Sequence, residues 1–248
     1  MDQAAELVAF YDDSYSRQGA EAELYARWRA LSALGKADHV VRLCHRADRF
    51  PRSIVEIGCG DGALLSELHR RGFGAQLSGF EITDAAVAIA RQRPHLHEVA
   101  RYDGEHLPVA DDTYDLGILS HVLEHVPDPA ALLGEVGRAC RAVVVEVPLE
   151  ANLSARRSSK RAGAAEVGHL HEFDRTAVAD AVDRAGLRVV TELDDALPLA
   201  VHRFFADTAA ARGRATVKWG VRATVARVAP PAARRLFTVH YACLCVPA

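Results

Sequence analysis

The sequence lacks any apolar run long enough to span a bilayer. Its first residues include Asp2 and Glu6 and no apolar core segment, so no signal peptide is visible. Paired cysteine spacing is also missing. Cys44, Cys59, Cys140, Cys243 and Cys245 form neither a CxxC nor a zinc pattern, which points to a reduced, cytoplasmic protein. Charge imbalance is absent too: a net charge of -3 over 248 residues argues against a nucleic-acid binder and against a disordered chain. No internal repeat is seen. With half of its residues apolar, the chain suffices for one α/β domain with decorations.

The chain is organised around Ile54-Val55-Glu56-Ile57-Gly58-Cys59-Gly60-Asp61-Gly62-Ala63-Leu64-Leu65. A buried strand, a turn of alternate glycines and a helix follow one another, the arrangement that opens a cofactor site in a parallel sheet. Glycines there permit positive φ and a close approach of backbone to ligand. Gly58-x-Gly60-x-x-Ala63 also fits a dinucleotide turn, and a glycine turn without a ligand is the plainest alternative. Glu56 and Asp61 flank the glycines and would repel a pyrophosphate. They would attract a ligand carrying an ammonium and a sulfonium, as S-adenosylmethionine does.

Strands are expected at 54–58, 76–81, 99–102, 114–119, 142–147, 187–190 and 237–246, with Pro148 ending the fifth. Phe237 is placed on the last strand, on one face with Val239 and Tyr241. Between them lie helices at 63–71, from Asp84 as cap to Arg91, after Asp128, and at 176–185 stopped by Gly186. This alternation predicts a doubly wound, mostly parallel α/β sheet. Residues 1–50 read as a helical lid, interrupted near Gly35, with Tyr11 and Tyr15 placed to close over a cofactor. Residues 51–248 form the main domain. A polar, basic stretch from 154 to 163 reads as a loop or short exposed helix.

At the expected strand ends stand Glu56-x-Gly58-Cys59-Gly60-Asp61, Glu81-Ile82, Asp103-Gly104 and Ser120-His121. An open α/β sheet binds its ligand at such ends. Glu81 would hold ribose hydroxyls and Asp103 the adenine amino group, with Ile82 and Leu107 on either side of the adenine. Together these motifs resemble the class I S-adenosylmethionine-dependent methyltransferases, in the small-molecule branch that includes ubiquinone- and menaquinone-pathway enzymes. The resemblance runs from about Ile54 to Val190. It implies a seven-stranded sheet ending in an antiparallel hairpin, and methyl transfer to a small-molecule acceptor. The chain departs from the commonest pattern in a helical insertion at about 196–235, before the last strand.

O-methylation needs a base, and histidines are abundant near the expected site. His169 ranks first as base, then His121, then His171, with Glu146 as a candidate to orient it. N- or C-methylation and a non-catalytic binding module are the alternatives. His121-x-x-Glu124-His125 matches an inverted zinc-protease motif, but Pro127 and Pro129 leave too little helix for it. A metal held by His169, His171 and Glu146 or Asp174 has no diagnostic spacing, so none is assigned. Between Arg203 and Arg235 there are eight basic residues against one acid, Asp207. Val217, Val221, Val225 and Val228 recur at helical spacing and are expected to pack on the domain. An anionic acceptor or a membrane surface is the less favoured reading of the basic side.

Overall fold

The computed structural model describes residues 3–155 and 168–248. Helices α1 (Gln3–Ser16) and α2 (Gly19–Arg46) come first. Strand and helix then alternate through β1 (Ser53–Ile57), α3 (Ala63–Arg70), β2 (Gln76–Glu81), α4 (Asp84–Ala90), β3 (Glu98–Arg101) and β4 (Leu116–Ser120). The series continues with α5 (Pro129–Ala139), β5 (Val143–Leu149), α6 (Arg175–Arg184) and β6 (Leu187–Asp195). Helices α7 (Leu199–Arg203), α8 (Ala209–Val228) and α9 (Pro230–Leu236) occupy the expected insertion and lead into β7 (Val239–Pro247).

One seven-stranded sheet has the order β3-β2-β1-β4-β5-β7-β6. Strands β1 to β5 pair in parallel, and β7 runs antiparallel to both β5 and β6. The chain order reverses between β1 and β4, which makes their carboxyl ends the switch point of the sheet. Side chains alternate between two cores. Val143, Val145 and Val147 of β5 face one layer with Val239, Tyr241, Cys243 and Cys245 of β7. Val144, Ala242 and Leu244 face the other, where α2 contributes Ala33, Ala37, Val40 and Leu43. All of β5 is buried, as its β-branched run requires. Gly117 of β4 lets α5 sit close: a Cβ there would lie 2.7 Å from Val136.

Several local expectations are corrected. Pro148 lies inside β5, opposite His240 of β7. The pairing with β4 ends at Glu146, so the missing N–H of Pro148 faces no second strand. Gly35 does not interrupt α2, which runs unbroken from Gly19 to Arg46. Thr83, not Asp84, precedes α4 as its cap residue, and the Asp84 carboxylate pairs instead with Arg101 at 3.1 Å. Tyr114 makes only an isolated bridge to Cys140, ahead of β4. Strand β6 runs past 190 to Asp195, as the hairpin of 187–194 with 237–246 implied by the resemblance requires, because β7 pairs with it along its length. Phe237 ends α9 rather than joining β7.

The expected cap at Asp128 is present, its carboxylate accepting from Ala130 and Ala131; Asp174, not foreseen as a cap, accepts from Ala177 at the start of α6. Ser154 and Ala155 are buried in a turn around Asn152, whose Oδ1 accepts from both backbone N–H groups. The rest of the expected basic loop, 156–163, lies outside the described residues.

Of the valine stripe in α8, Val225 packs against the core as expected, but the other three face outward: Val217 is 69% exposed, Val221 52% and Val228 76%. The opposite face carries Trp219, whose indole N–H donates to Leu197 O at 2.9 Å.

Candidate active site

The glycine turn is anchored by its neighbour strand. Gly58 and Cys59 donate to Phe80 O at 2.8 and 3.1 Å. Gly58 and Gly60 have φ of 73° and 52°, a region that side chains disfavour. A Cβ on Gly60 would fall on the Tyr15 hydroxyl, so only glycine lets this lid residue close down there. The Cys59 thiol packs against Gly79, which leaves its backbone as the part available to a ligand.

The carboxylates around the turn divide into two kinds. Asp61 is buried and engaged: Arg29 of α2 donates to it at 2.8 Å and Arg93 lies 3.7 Å away. Arg29 also lies over the Tyr15 ring. The charge assigned to Asp61 from sequence is therefore compensated within the protein. Glu56 is 4% exposed, and its Oε2 has no hydrogen-bond partner among the described residues. Burial pushes its carboxyl up to about 8, with Lys36 partly opposing.

Glu81 is also raised by burial, against the backbone N–H groups of Gly60, Ile82 and Thr83 that it accepts. The Gly60 bond, to Oε2, is 2.9 Å long and leaves that oxygen a spare lone pair, whereas Oε1 accepts from both Ile82 and Thr83. Ile82 and Gly104 adjoin, with Ile82 Cγ2 3.6 Å from where a Cβ on Gly104 would be. The Asp103 carboxylate caps its own turn, accepting from Glu105 and His106 at 2.8 and 2.6 Å. Leu107 does not face Ile82 across a ligand slot; it is buried in the core.

The residues expected from sequence to hold the cofactor, Leu107 apart, line one cavity of about 870 Å³, large enough for a cofactor and a small second ligand. Helix α1 roofs part of it with Leu7, Val8, Phe10, Tyr11 and Tyr15. Asp12 ties that roof down by accepting from Ala85 N at 3.2 Å. Burial raises the Tyr11 and Tyr15 hydroxyls far above their ordinary range, so both stay protonated donors.

The histidines separate. His169 Nδ1 lies 2.6 Å from Glu150 Oε2, and both residues are about four-fifths buried or more. Burial opposes the imidazolium, but Glu150 outweighs it and raises the His169 pKa above the ordinary histidine value. The ring meets His125 edge to face at 4.8 Å. His125 Nδ1 lies 3.1 Å from Gly168 O, and its Nε2 3.1 Å from the Tyr11 hydroxyl. His171 is turned elsewhere: its Nε2 donates to Val126 O at 2.9 Å, and it does not line the cavity. The two histidines of His169-x-His171 thus do not act together.

His121 follows Ser120 at the end of β4 with φ of 59° and does line the cavity. The turn Leu123–His125 is a single 3-10 turn, so the protease-like motif has no helix to stand on. Glu146 does not orient His169. It lies among His39, His121 and His240, and these imidazoles overcome burial to hold its carboxyl well below the ordinary range.

Glu150, His240, His39 and Lys36 were not singled out from sequence. Glu150 stands immediately beyond β5, where the strand-end rule would have found it. His240 belongs to the antiparallel strand and reaches the same sheet edge in reverse, so that rule misses it. Among the described residues, no helix is long and apolar enough to cross a membrane.

Residues 25–192 match the family model described as a methyltransferase domain. Ubiquinone biosynthesis O-methyltransferases are similar in sequence. The one from Neisseria meningitidis serogroup A is 32% identical over 104 residues, which is 40% of this chain and 42% of that protein. The one from Acinetobacter baylyi is 29% identical over 99 residues, 38% and 39% of the two chains. The match thus spans about two fifths of the length of these relatives. The crystal structure of geranyl diphosphate C-methyltransferase from Streptomyces coelicolor A3(2) shares the fold. Its TM-score is 0.67 at 13% identity, covering 100% of this chain and 98% of that one. The glycine turn at the switch point, the acidic ends of β1 and β2 and the family match lead to one conclusion: the chain belongs to the methyltransferase-domain family, the class I S-adenosylmethionine-dependent methyltransferases.

Proposed function

We propose that the protein methylates a hydroxyl oxygen on a small-molecule acceptor, with His169 as general base and Glu150 as the group that orients it. The observation that carries this reading is the 2.6 Å contact between His169 Nδ1 and Glu150 Oε2 at the wall of the glycine-turn cavity. The similarity to O-methyltransferases supports it.

The residues present fit the cofactor. Glu56, with its unpartnered buried oxygen, and Lys36 line one cavity and match the ammonium and carboxylate of an amino-acid zwitterion. Gly58, Cys59 and Gly60 offer backbone at close range, Glu81 offers acceptors to ribose hydroxyls, and Ile82 and Gly104 offer a flat apolar wall. Asp103 adds an acceptor at the exposed end. When bound, S-adenosylmethionine supplies a methyl group on a positively charged sulfur.

The remaining work falls to the protein. Tyr11, Tyr15 and the apolar residues of α1 exclude water from the cavity roof. Ser120 and His121 shape the floor at the end of β4. Glu150 accepts from Nδ1–H of neutral His169, which leaves Nε2 to take the acceptor proton. Alignment of acceptor and methyl group supplies the rest of the acceleration.

The test is release of S-adenosylhomocysteine with a panel of phenols, catechols, aliphatic alcohols and amines. We expect turnover with hydroxyl acceptors. His169→Ala should lose roughly 100- to 10,000-fold in kcat with cofactor affinity nearly unchanged. Turnover confined to amines, or an unimpaired His169→Ala enzyme, overturns the assignment.

A further inference from the structure

At the floor of the cavity, two imidazoles and one carboxylate converge. His121 Nε2 and His240 Nδ1 are 3.1 Å apart. Glu146 Oε1 lies 3.7 Å from the first and 3.6 Å from the second. An ion about 2.1 Å from each of three ligand atoms holds them roughly 3.0 to 3.4 Å from one another. The triangle is within a few tenths of an ångström of that size.

The surroundings are those of a ligand set. Glu124, fully buried, lies 3.1 Å from His121 Nδ1. It takes the proton on that nitrogen and leaves the lone pair on Nε2, inside the triangle. A carboxylate behind a histidine is the usual support of a metal-bound imidazole. Ser120 Oγ donates to the far oxygen of Glu146 at 3.3 Å, which leaves Oε1 for the triangle. His121 is held at φ of 59°, a conformation that costs a non-glycine residue energy and that marks functional sites.

A fourth nitrogen completes the picture. His39 Nδ1 is buried 3.2 Å from Glu146 Oε1, yet makes no hydrogen bond of acceptable geometry among the described residues. Its Nε2 is engaged by Asp195 at 3.1 Å. Hydrogen bonds within the protein therefore leave this cluster incompletely satisfied, which is costly for buried polar groups.

We propose that His121, Glu146 and His240 bind one divalent transition-metal ion, with its open positions toward the cavity. Two imidazoles and a carboxylate suit zinc, iron(II), cobalt(II) or manganese(II). All three ligands line the cavity, so an oxygen of the acceptor would complete the coordination. This deepens the proposed O-methylation and rests on it for the identity of the oxygen ligand, but the metal site stands on its own geometry. The acceptor class it selects is a hydroxyl compound able to bind through its oxygen, such as a phenol or catechol.

The test uses the full-length protein without acceptor. It is stripped with chelator and titrated with cobalt(II) and with zinc, while S-adenosylmethionine affinity is measured separately without metal. We expect one equivalent at micromolar concentration. The cobalt spectrum should show nitrogen and oxygen ligation without the thiolate charge-transfer band that cysteines would give. Glu146→Gln and His240→Ala should each weaken binding about 100-fold or more. His95→Ala should not, although His95 stacks on His69 as a competing pair at 4.6 Å. No stoichiometric binding to the wild-type protein overturns the proposal whatever the variants do. Binding that survives both ligand substitutions, or is lost with His95, overturns it as well. Stoichiometric metal binding with turnover confined to amine acceptors would overturn the O-methylation reading and leave the metal site intact.

Discussion

Glu150 and His169 are nineteen positions apart in sequence, and their side chains meet at 2.6 Å. The meeting depends on the bridge between Leu149 and Phe173, which brings the chain back beside the end of β5. Turnover is expected to rise with pH, because only neutral His169 accepts a proton, and to do so above the ordinary histidine value, because Glu150 raises its pKa. Glu150→Gln should move that rise to lower pH and reduce the plateau about 10- to 100-fold. A kcat profile identical to wild type would remove Glu150 from the mechanism.

The orphaned oxygen of Glu56 makes cofactor binding depend on pH. Its carboxyl, raised to about 8 by burial, must ionise to hold an ammonium group. S-adenosylmethionine affinity should therefore fall as pH drops below about 8, and binding near neutrality should release a proton. Calorimetry in buffers of different ionisation enthalpy reads that proton directly. Glu56→Gln should weaken binding and abolish the buffer dependence; a dependence that persists would place the proton elsewhere.

Gly60 and Glu81 should differ in how they fail. Gly60→Val places a branched side chain where the Tyr15 hydroxyl now sits, at a φ of 52°. It should abolish cofactor binding, with a fold cost of about 1–2 kcal/mol from the left-handed backbone. Glu81→Ala should weaken binding by roughly 1.5–3 kcal/mol, the worth of hydrogen bonds to a charged group. Isothermal titration and thermal melts separate the two contributions. Equal affinity in all three proteins would disprove the cofactor assignment of the turn.

Helix α8 gives a stability prediction with two signs. Val217 and Val221 face solvent, so changing both to Lys should alter stability by no more than about 0.5 kcal/mol. Trp219→Ala removes the bond to Leu197 and the packing of a half-buried ring. It should cost about 2 kcal/mol, below the range for fully buried tryptophan. Denaturant unfolding that ranks the variants the other way would mean that the helix docks on its valine face.

What the sequence disclosed follows from locality. The glycine turn, the β-branched run of β5 and the cap at Asp128 are each decided by a few neighbouring residues. So is the failure of the His121-x-x-Glu124-His125 motif, which Pro127 and Pro129 foretell. The misread features depend on what lies opposite. Pro148 stays in its strand because β4 has already ended. The charge of Asp61 is compensated by Arg29 from another helix. Of the regularly spaced valines of α8 only Val225 packs inward, since a helix rich in alanine packs as readily on Trp219 and its small neighbours. Glu146 and His240 come together only through the antiparallel pairing of β5 with β7.

The proposed dyad is held by backbone hydrogen bonds to separate elements. Glu150 and Ala151 donate to Phe173 O, and Leu153 to Arg235 O. On the far side, Leu170 and His171 donate to Glu124 O. The two side chains thus take their places from the end of β5, the segment before α6 and the turn after β4, whereas helix α1 lines the same cavity from outside this frame. Substitutions on α1 can therefore retune which acceptor enters while the proposed base keeps its place, which makes that helix the natural element to randomise when a new acceptor is sought.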